Sequence, residues 1–184
     1  MEILCRLAEA EDLSEILKLQ SLSLRMLMPP SIESETLEAL IEQQKREREK
    51  ADELIILTVC NHQILGFVAI LPMRGQISGL FVHPDFVRQK IGSLLLTEAT
   101  NILEMKHHRS IFVLSSEYAK SFYKYHGFRL VQSQSMLVDR HHKVRVFLMR
   151  KELRPVTPEE QQQQRIILGV LVMIMILSLW AAIS

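Results

Sequence analysis

The chain has 184 residues, with 22 Lys and Arg against 21 Asp and Glu and a formal charge of +1. That length suits one domain with its own core plus a small appendage. The charge balance has neither the basic surplus of a nucleic-acid surface nor an acidic tail, so no nucleic-acid partner is expected. Cys5 and Cys60 both lie in apolar runs. They are too few for a disulfide framework or a zinc site and read as core thiols. The first residues show no charged stretch leading into an apolar one, so no cleavable signal peptide is expected.

In chain order, 3–7 reads as a strand. Asp12 starts a helix with Leu13, Ile16, Leu17 and Leu24 on one face. Pro29-Pro30 ends it. Ser34 can cap a second helix, with Leu37, Leu40 and Ile41 inward, and its charged end, KREREK at 45–50, reads as a solvated face. Two β-rich runs, 54–60 and 63–71, flank Asn61-His62, a hairpin signal. A third strand covers 76–82, followed by His83-Pro84-Asp85 and a short loop. A helix is expected at 91–106, with Ile91, Leu95, Ala99, Ile102 and Leu103 on one face. Then come a buried strand at 111–114, a short helix at 118–125 stopped by Gly127, and a hairpin of 128–137 with 143–149 around Asp139-Arg140-His141-His142. The order β α α β β β α β α β β predicts an α/β or α+β sandwich around a mixed sheet, with no internal repeat.

The chain then changes character. Residues 154–165, with two prolines and four consecutive glutamines, read as a polar linker. Residues 166–184 carry no charge, and at a rise of about 1.5 Å they reach roughly 28 Å, close to the ~30 Å of a hydrocarbon core. Arg165 and Trp180 stand near the two edges, where a cation and an indole favour the interface. A single membrane-spanning helix is expected here, as a C-terminal tail anchor. Arg154 and Arg165 both precede it, which favours a cytosolic domain. A helix packed in a dimer interface is the competing reading.

Two runs could carry chemistry. Val87 to Ser93, VRQKIGS, joins a strand to a helix. Amides at a helix N-terminus carry partial positive charge and suit a diphosphate; Gly92 allows close approach, and Arg88 and Lys90 add formal charge. The second run is AKSFYKYHGF, Ala119 to Phe128, in which Ala119 and Tyr123 share a helix face. Each alone is an ordinary loop or a core aromatic cluster.

In this order and spacing, the two runs resemble the GNAT superfamily of acyl-CoA N-acyltransferases. Leu80-Phe81-Val82-His83-Pro84 matches the family's strand and turn. Gln89, Ile91, Gly92 and Ser93 match its loop, and Ser116, Ala119, Phe122, Tyr123, Gly127 and Phe128 match its later signature. Val87 stands where the loop has its leading Arg, Lys90 where it has its first Gly, and Ser116 where the later signature has Asn. The resemblance covers about 1–153. It implies a GNAT-like mixed sheet flanked by helices, and acetyl-CoA as acyl donor, lying in a splay between the strand at 79–82 and the strand at 111–115. It implies that the amides of Phe81 and Val82 hold the pantetheine arm, those of 88–93 (Arg88, Gln89, Lys90, Ile91, Gly92, Ser93) hold the diphosphate, and Phe122 adjoins them. Tyr123 would protonate the departing thiolate, with Tyr125 facing away. Deprotonating the amine acceptor needs a base, for which Asp85 and His83 are candidates and Glu117 a third. A metal role for His107-His108 or His141-His142 is not expected, since adjacent residues point to different sides. The expected activity is N-acetyl transfer to an amine at a membrane surface. The alternatives are a non-catalytic acetyl-CoA sensor or a membrane-anchored interaction module.

Overall fold

The computed structural model describes residues 3–28, 32–50 and 52–154, together with Gln162 and Ile166. The chain divides into two units, Met1–Leu153 and Arg154–Ser184, and every strand and helix below belongs to the first. These are β1 (Leu4–Leu7), α1 (Leu13–Leu27), α2 (Ser34–Lys50), β2 (Leu54–Cys60), β3 (Gln63–Leu71), β4 (Gln76–Val82), α3 (Ile91–Met105), β5 (Ser110–Ser115), α4 (Lys120–Tyr125), β6 (Arg129–Leu137) and β7 (Lys143–Glu152). The expected order holds, with shifted ends. Helix α4 starts at Lys120 and not 118, because Ser116 Oγ accepts the Ala119 N–H and holds 116–119 in a turn. Strand β7 runs past 149 because β5 partners it as far as Ser110↔Glu152.

Seven strands form one sheet in the order β1-β2-β3-β4-β5-β7-β6. The β2–β3 turn is made by Asn61 and His62, both at positive φ (48° and 65°), as a two-residue hairpin of matching twist requires. Strand β3 is central and buried from Ile64 to Ile70. Its residues alternate between two cores. Leu65, Val68 and Ile70 pack with Leu95, Ala99 and Leu103 of α3; Ile64, Phe67 and Ala69 pack with Ile16 and Leu19 of α1. The phase changes between Leu65 and Phe67 because a bulge there breaks the register with β2. A third cluster joins Leu24 of α1 and Leu40 and Ile41 of α2 to Val138, Val144 and Val146 at the last hairpin. Cys60 is buried and Cys5 half-buried, and both are free.

One strand pair is parallel, β4 with β5, and its crossover is α3, since parallel neighbours need a long connection. The pairing is short. Gln76 faces Phe112 and Ile77 faces Val113, and there it ends. A bulge at Ser78 turns β4 at the same point, its register with β3 shifting between Ala69 and Ile70. From Ser78 and Leu114 onward the two strands diverge, each toward its C-terminal end. Among the described residues, no helix is long and apolar enough to cross a membrane. The expected spanning run 166–184 lies outside the described residues except for Ile166.

Candidate active site

The divergence of β4 and β5 opens a cleft of about 970 Å³. Its walls are Gly79, Leu80 and Phe81 of β4, Val113 to Ser116, and Ala119 and Tyr123 beside α4. Leu24, Met28 and Leu40 close it from α1 and α2, and Met136, Lys143 and Arg145 from the last hairpin. The crevice lies where the single parallel pair comes apart, toward the carboxyl ends of β4 and β5.

The backbone of β4 has one side on β3 and the other on the gap. His83, just beyond the strand, donates its N–H to Leu65 of β3 at 2.8 Å. The Phe81 carbonyl lies 2.8 Å from where a Gly66 Cβ would stand, so it too is turned to β3. Strand alternation then presents Leu80 and Val82 to the gap. The expectation for Val82 fits this geometry; that for Phe81 does not, because its amide belongs to the β3 side. Leu80 takes its place. Its signal was present in the sequence, since the residues flanking Phe81 must face opposite to it. The Phe81 side chain still serves the cleft, its ring stacked on Phe67 at 5.2 Å.

Beyond β4, Pro84 to Phe86 form a single 3-10 turn. Arg88 and Lys90 both adopt the left-handed conformation at φ +64°, and Lys90 is the N-terminal boundary of α3 with no side chain capping it. The first-turn amides of α3 therefore keep their donors free of intrahelical partners. Ile91 is buried and offers only its backbone. The Gln89 amide is tied to the Asp85 carbonyl at 3.3 Å. Ser93 Oγ meets His126 Nε2 at 3.1 Å, and burial together with Lys151 holds His126 below its ordinary pKa, hence neutral near pH 7.

The fold joins the two sequence runs here. A side chain on Gly92 would stand 3.5 Å from the Phe122 ring and 3.6 Å from Val82, so the end of β4, the start of α3 and α4 meet at one point. Phe122 packs on Tyr123 at 5.2 Å and on His126 at 4.7 Å. Tyr123 is 4% exposed and lines the cleft, whereas Tyr125 is 87% exposed. Desolvation pushes the Tyr123 phenol above its ordinary pKa, so it stays protonated.

The base candidates separate. His83 Nδ1 accepts the Asp85 N–H at 3.3 Å, and its ring packs edge-on against Phe86. The Asp85 side chain is 81% exposed. The Pro84 turn folds this pair onto itself, and neither residue lines the cleft. Four carboxylates do line it: Glu33, Glu47, Glu53 and Glu117. Glu117 is ion-paired with Lys120.

Sequence reasoning also missed Arg48. The KREREK run is not uniformly solvated, for Arg48 is 8% exposed and ion-paired with Glu53. The signal was helical spacing: Leu37, Ile41, Gln44 and Arg48 continue one inward stripe.

Residues 20–153 match the family described as Acetyltransferase (GNAT) domain. The chain belongs to the GNAT acetyltransferases. Solved structures share the fold. A GCN5-related N-acetyltransferase from Rhodopseudomonas palustris is 20% identical with a TM-score of 0.75, over 83% of this chain and 97% of that one. The PaiA N-acetyltransferase from Thermoplasma acidophilum, in complex with coenzyme A, is 22% identical with a TM-score of 0.65, over 83% and 99%. YncA from Salmonella typhimurium, with its cofactor acetyl-CoA, is 13% identical with a TM-score of 0.58, over 85% and 97%. No curated protein sequence matches the chain.

Proposed function

We propose that the chain transfers the acetyl group of acetyl-CoA to an amine. The observation that carries this reading is the β4–β5 splay at the Ser78 bulge, lined by Tyr123, together with the uncapped start of α3, where Gly92 lies against Val82 and Phe122. The residues fit such a donor. Leu80 and Val82 would hold a pantetheine arm with backbone groups facing the gap. The amides after Lys90, with the side chains of Arg88 and Lys90, would hold a diphosphate. When bound, acetyl-CoA supplies an activated thioester carbonyl and a thiol leaving group. Tyr123, lining the cleft, would serve as the hydrogen-bond donor to the leaving thiolate. Its raised pKa favours stabilising the departing thiolate over surrendering the proton early. With Glu53 held by Arg48, the cleft carboxylates of Glu33, Glu47 and Glu117 are better placed than His83 or Asp85 to relay the amine's proton.

The finer setting is part of the same proposal. The uncharged run 166–184 spans a membrane once and the acetyltransferase domain faces the cytosol; Arg154 and Arg165, both on the domain side, support that orientation. Residues 1–153 form the domain and 154–165 the linker. Tethering would raise the effective concentration of acceptors at that surface.

Titration calorimetry of the full chain with acetyl-CoA tests the donor. One-to-one binding, followed by amine-dependent release of free thiol, is expected. No heat at millimolar acetyl-CoA removes the reading.

A further inference from the structure

The function proposed above leaves the acceptor open, and the buried arginine narrows it. Arg48 enters the cleft wall from α2. Its Nη1 donates to Glu53 Oε2, and its Nε donates to Gln20 Oε1 at 2.7 Å. Its guanidinium lies 5.1 Å over the Phe67 ring. A guanidinium has five N–H donors, and the Nη2 pair has no partner among the described residues. That nitrogen reaches β4 at Gly79, where a Cβ would stand only 2.7 Å from it. The strand thus has no side chain at the point where Arg48 arrives, one residue before Leu80 and just past the last β4–β5 pair. Burial disfavours the Arg48 charge and Glu53 offsets this. The Nη2 donors therefore face the open cleft unpaired, free to meet an acceptor oxygen there.

We propose that Arg48 is the specificity-determining residue for the acceptor, its Nη2 edge receiving a carbonyl or carboxylate oxygen adjacent to the reacting amine. The acceptor class is then α-amino carbonyl compounds, and simple alkylamines are disfavoured. In such a group the oxygen is a short reach from the nitrogen, and Arg48 meets β4 at Gly79, one residue before Leu80, which is assigned to the pantetheine arm. The pair with Glu53 keeps the local charge balanced, so a neutral carbonyl is accepted as readily as a carboxylate. Leu24, Met28, Leu40 and Met136 put an apolar patch in a wall that also carries polar residues, where an aliphatic side chain can pack.

This inference rests on acetyl transfer in the same cleft, and the test separates the two. The full chain is assayed for thiol release with acetyl-CoA and four acceptors: leucinamide, a leucyl dipeptide, free leucine, and isoamylamine, which keeps the aliphatic body and lacks the carbonyl. The quantity read is the kcat/KM ratio of each carbonyl-bearing acceptor to isoamylamine, compared between wild type and variant so that differing amine basicities cancel. The double variant Arg48→Met/Glu53→Gln leaves no uncompensated buried charge. It should lower the ratio at least tenfold, mainly through KM. Gly79→Ala places a methyl group against Nη2 and should lower it in the same direction, which keeps the test open if the double variant does not fold. Leucinamide and the dipeptide against free leucine tell a peptide carbonyl from a carboxylate. A ratio unchanged within twofold in the folded variants overturns the role of Arg48 while acetyl transfer stands. Acetyl-CoA binding without turnover of any of the four overturns the acceptor class. Absence of acetyl-CoA binding overturns both.

Discussion

At the scale of residues, burial sets what each polar group can do. Tyr123 is 4% exposed where it borders the cleft, and this burial keeps it a phenol and a donor. Tyr123→Phe should lower turnover about 10²-fold or more and leave acetyl-CoA affinity nearly unchanged. Steady-state kinetics beside calorimetry check this, and wild-type turnover in the Phe variant would reduce Tyr123 to a packing role. Lys90 shows the opposite tension. Its φ of +64° is one a glycine adopts freely, while it also puts a formal positive charge on the residue at the N-terminal boundary of α3. Lys90→Gly should stabilise the fold by about 1 kcal/mol and weaken acetyl-CoA binding about fivefold, the ~1 kcal/mol of an exposed ion pair. A rise in melting temperature with an unchanged or tighter Kd would show that Lys90 does not meet a phosphate. Departure from the family's glycine was legible in the sequence. The left-handed backbone that makes it matter was not, because φ depends on how the 3-10 turn delivers the chain to α3.

At the scale of elements, the site is made by what one strand does at one point. Strand β4 bulges at Ser78, loses β5 after Ile77, and is held against β3 and α3 through Gly66. A methyl group at Gly66 would stand 2.8 Å from the Phe81 carbonyl and 3.1 Å from Leu95. Gly66→Ala should therefore cost about 1–3 kcal/mol and weaken acetyl-CoA binding, because β4 must move off β3. Chemical denaturation and calorimetry measure the two effects. Loss of stability with wild-type affinity would show that the splay does not depend on this contact. The strands and helices were legible from periodicity: of the expected α3 face Ile91, Leu95, Ala99 and Leu103 are buried, Ile102 is half-buried, and Leu96 is buried beside them. Arg48 was hidden because local composition outweighed spacing; a charged run looks solvated until the stripe from Leu37 is followed to its end.

At the scale of the whole molecule, an acetyltransferase domain precedes an uncharged run. Full-length protein should pellet with membranes and resist carbonate extraction, while the fragment 1–153 should stay soluble, fold, and bind acetyl-CoA with the affinity of the full chain. Sedimentation and calorimetry check this together. Full-length protein recovered in the soluble fraction without detergent would turn 166–184 into a packing helix.

What the sequence by itself determined was the order of elements and, through paired signatures, the GNAT family. Such features are local, carried by spacing within a helix or a turn. What only the tertiary structure decided was convergence: that Gly92, Val82 and Phe122 share one point, that Leu80 and not Phe81 faces the gap, that His83 and Asp85 turn away from the cleft while Arg48 enters it. Those outcomes depend on strand parity, on a single-residue bulge and on the packing that sets Arg48 of α2 against Gln20 of α1 and Gly79 of β4. Each is set by contacts between parts of the chain that sequence distance keeps apart.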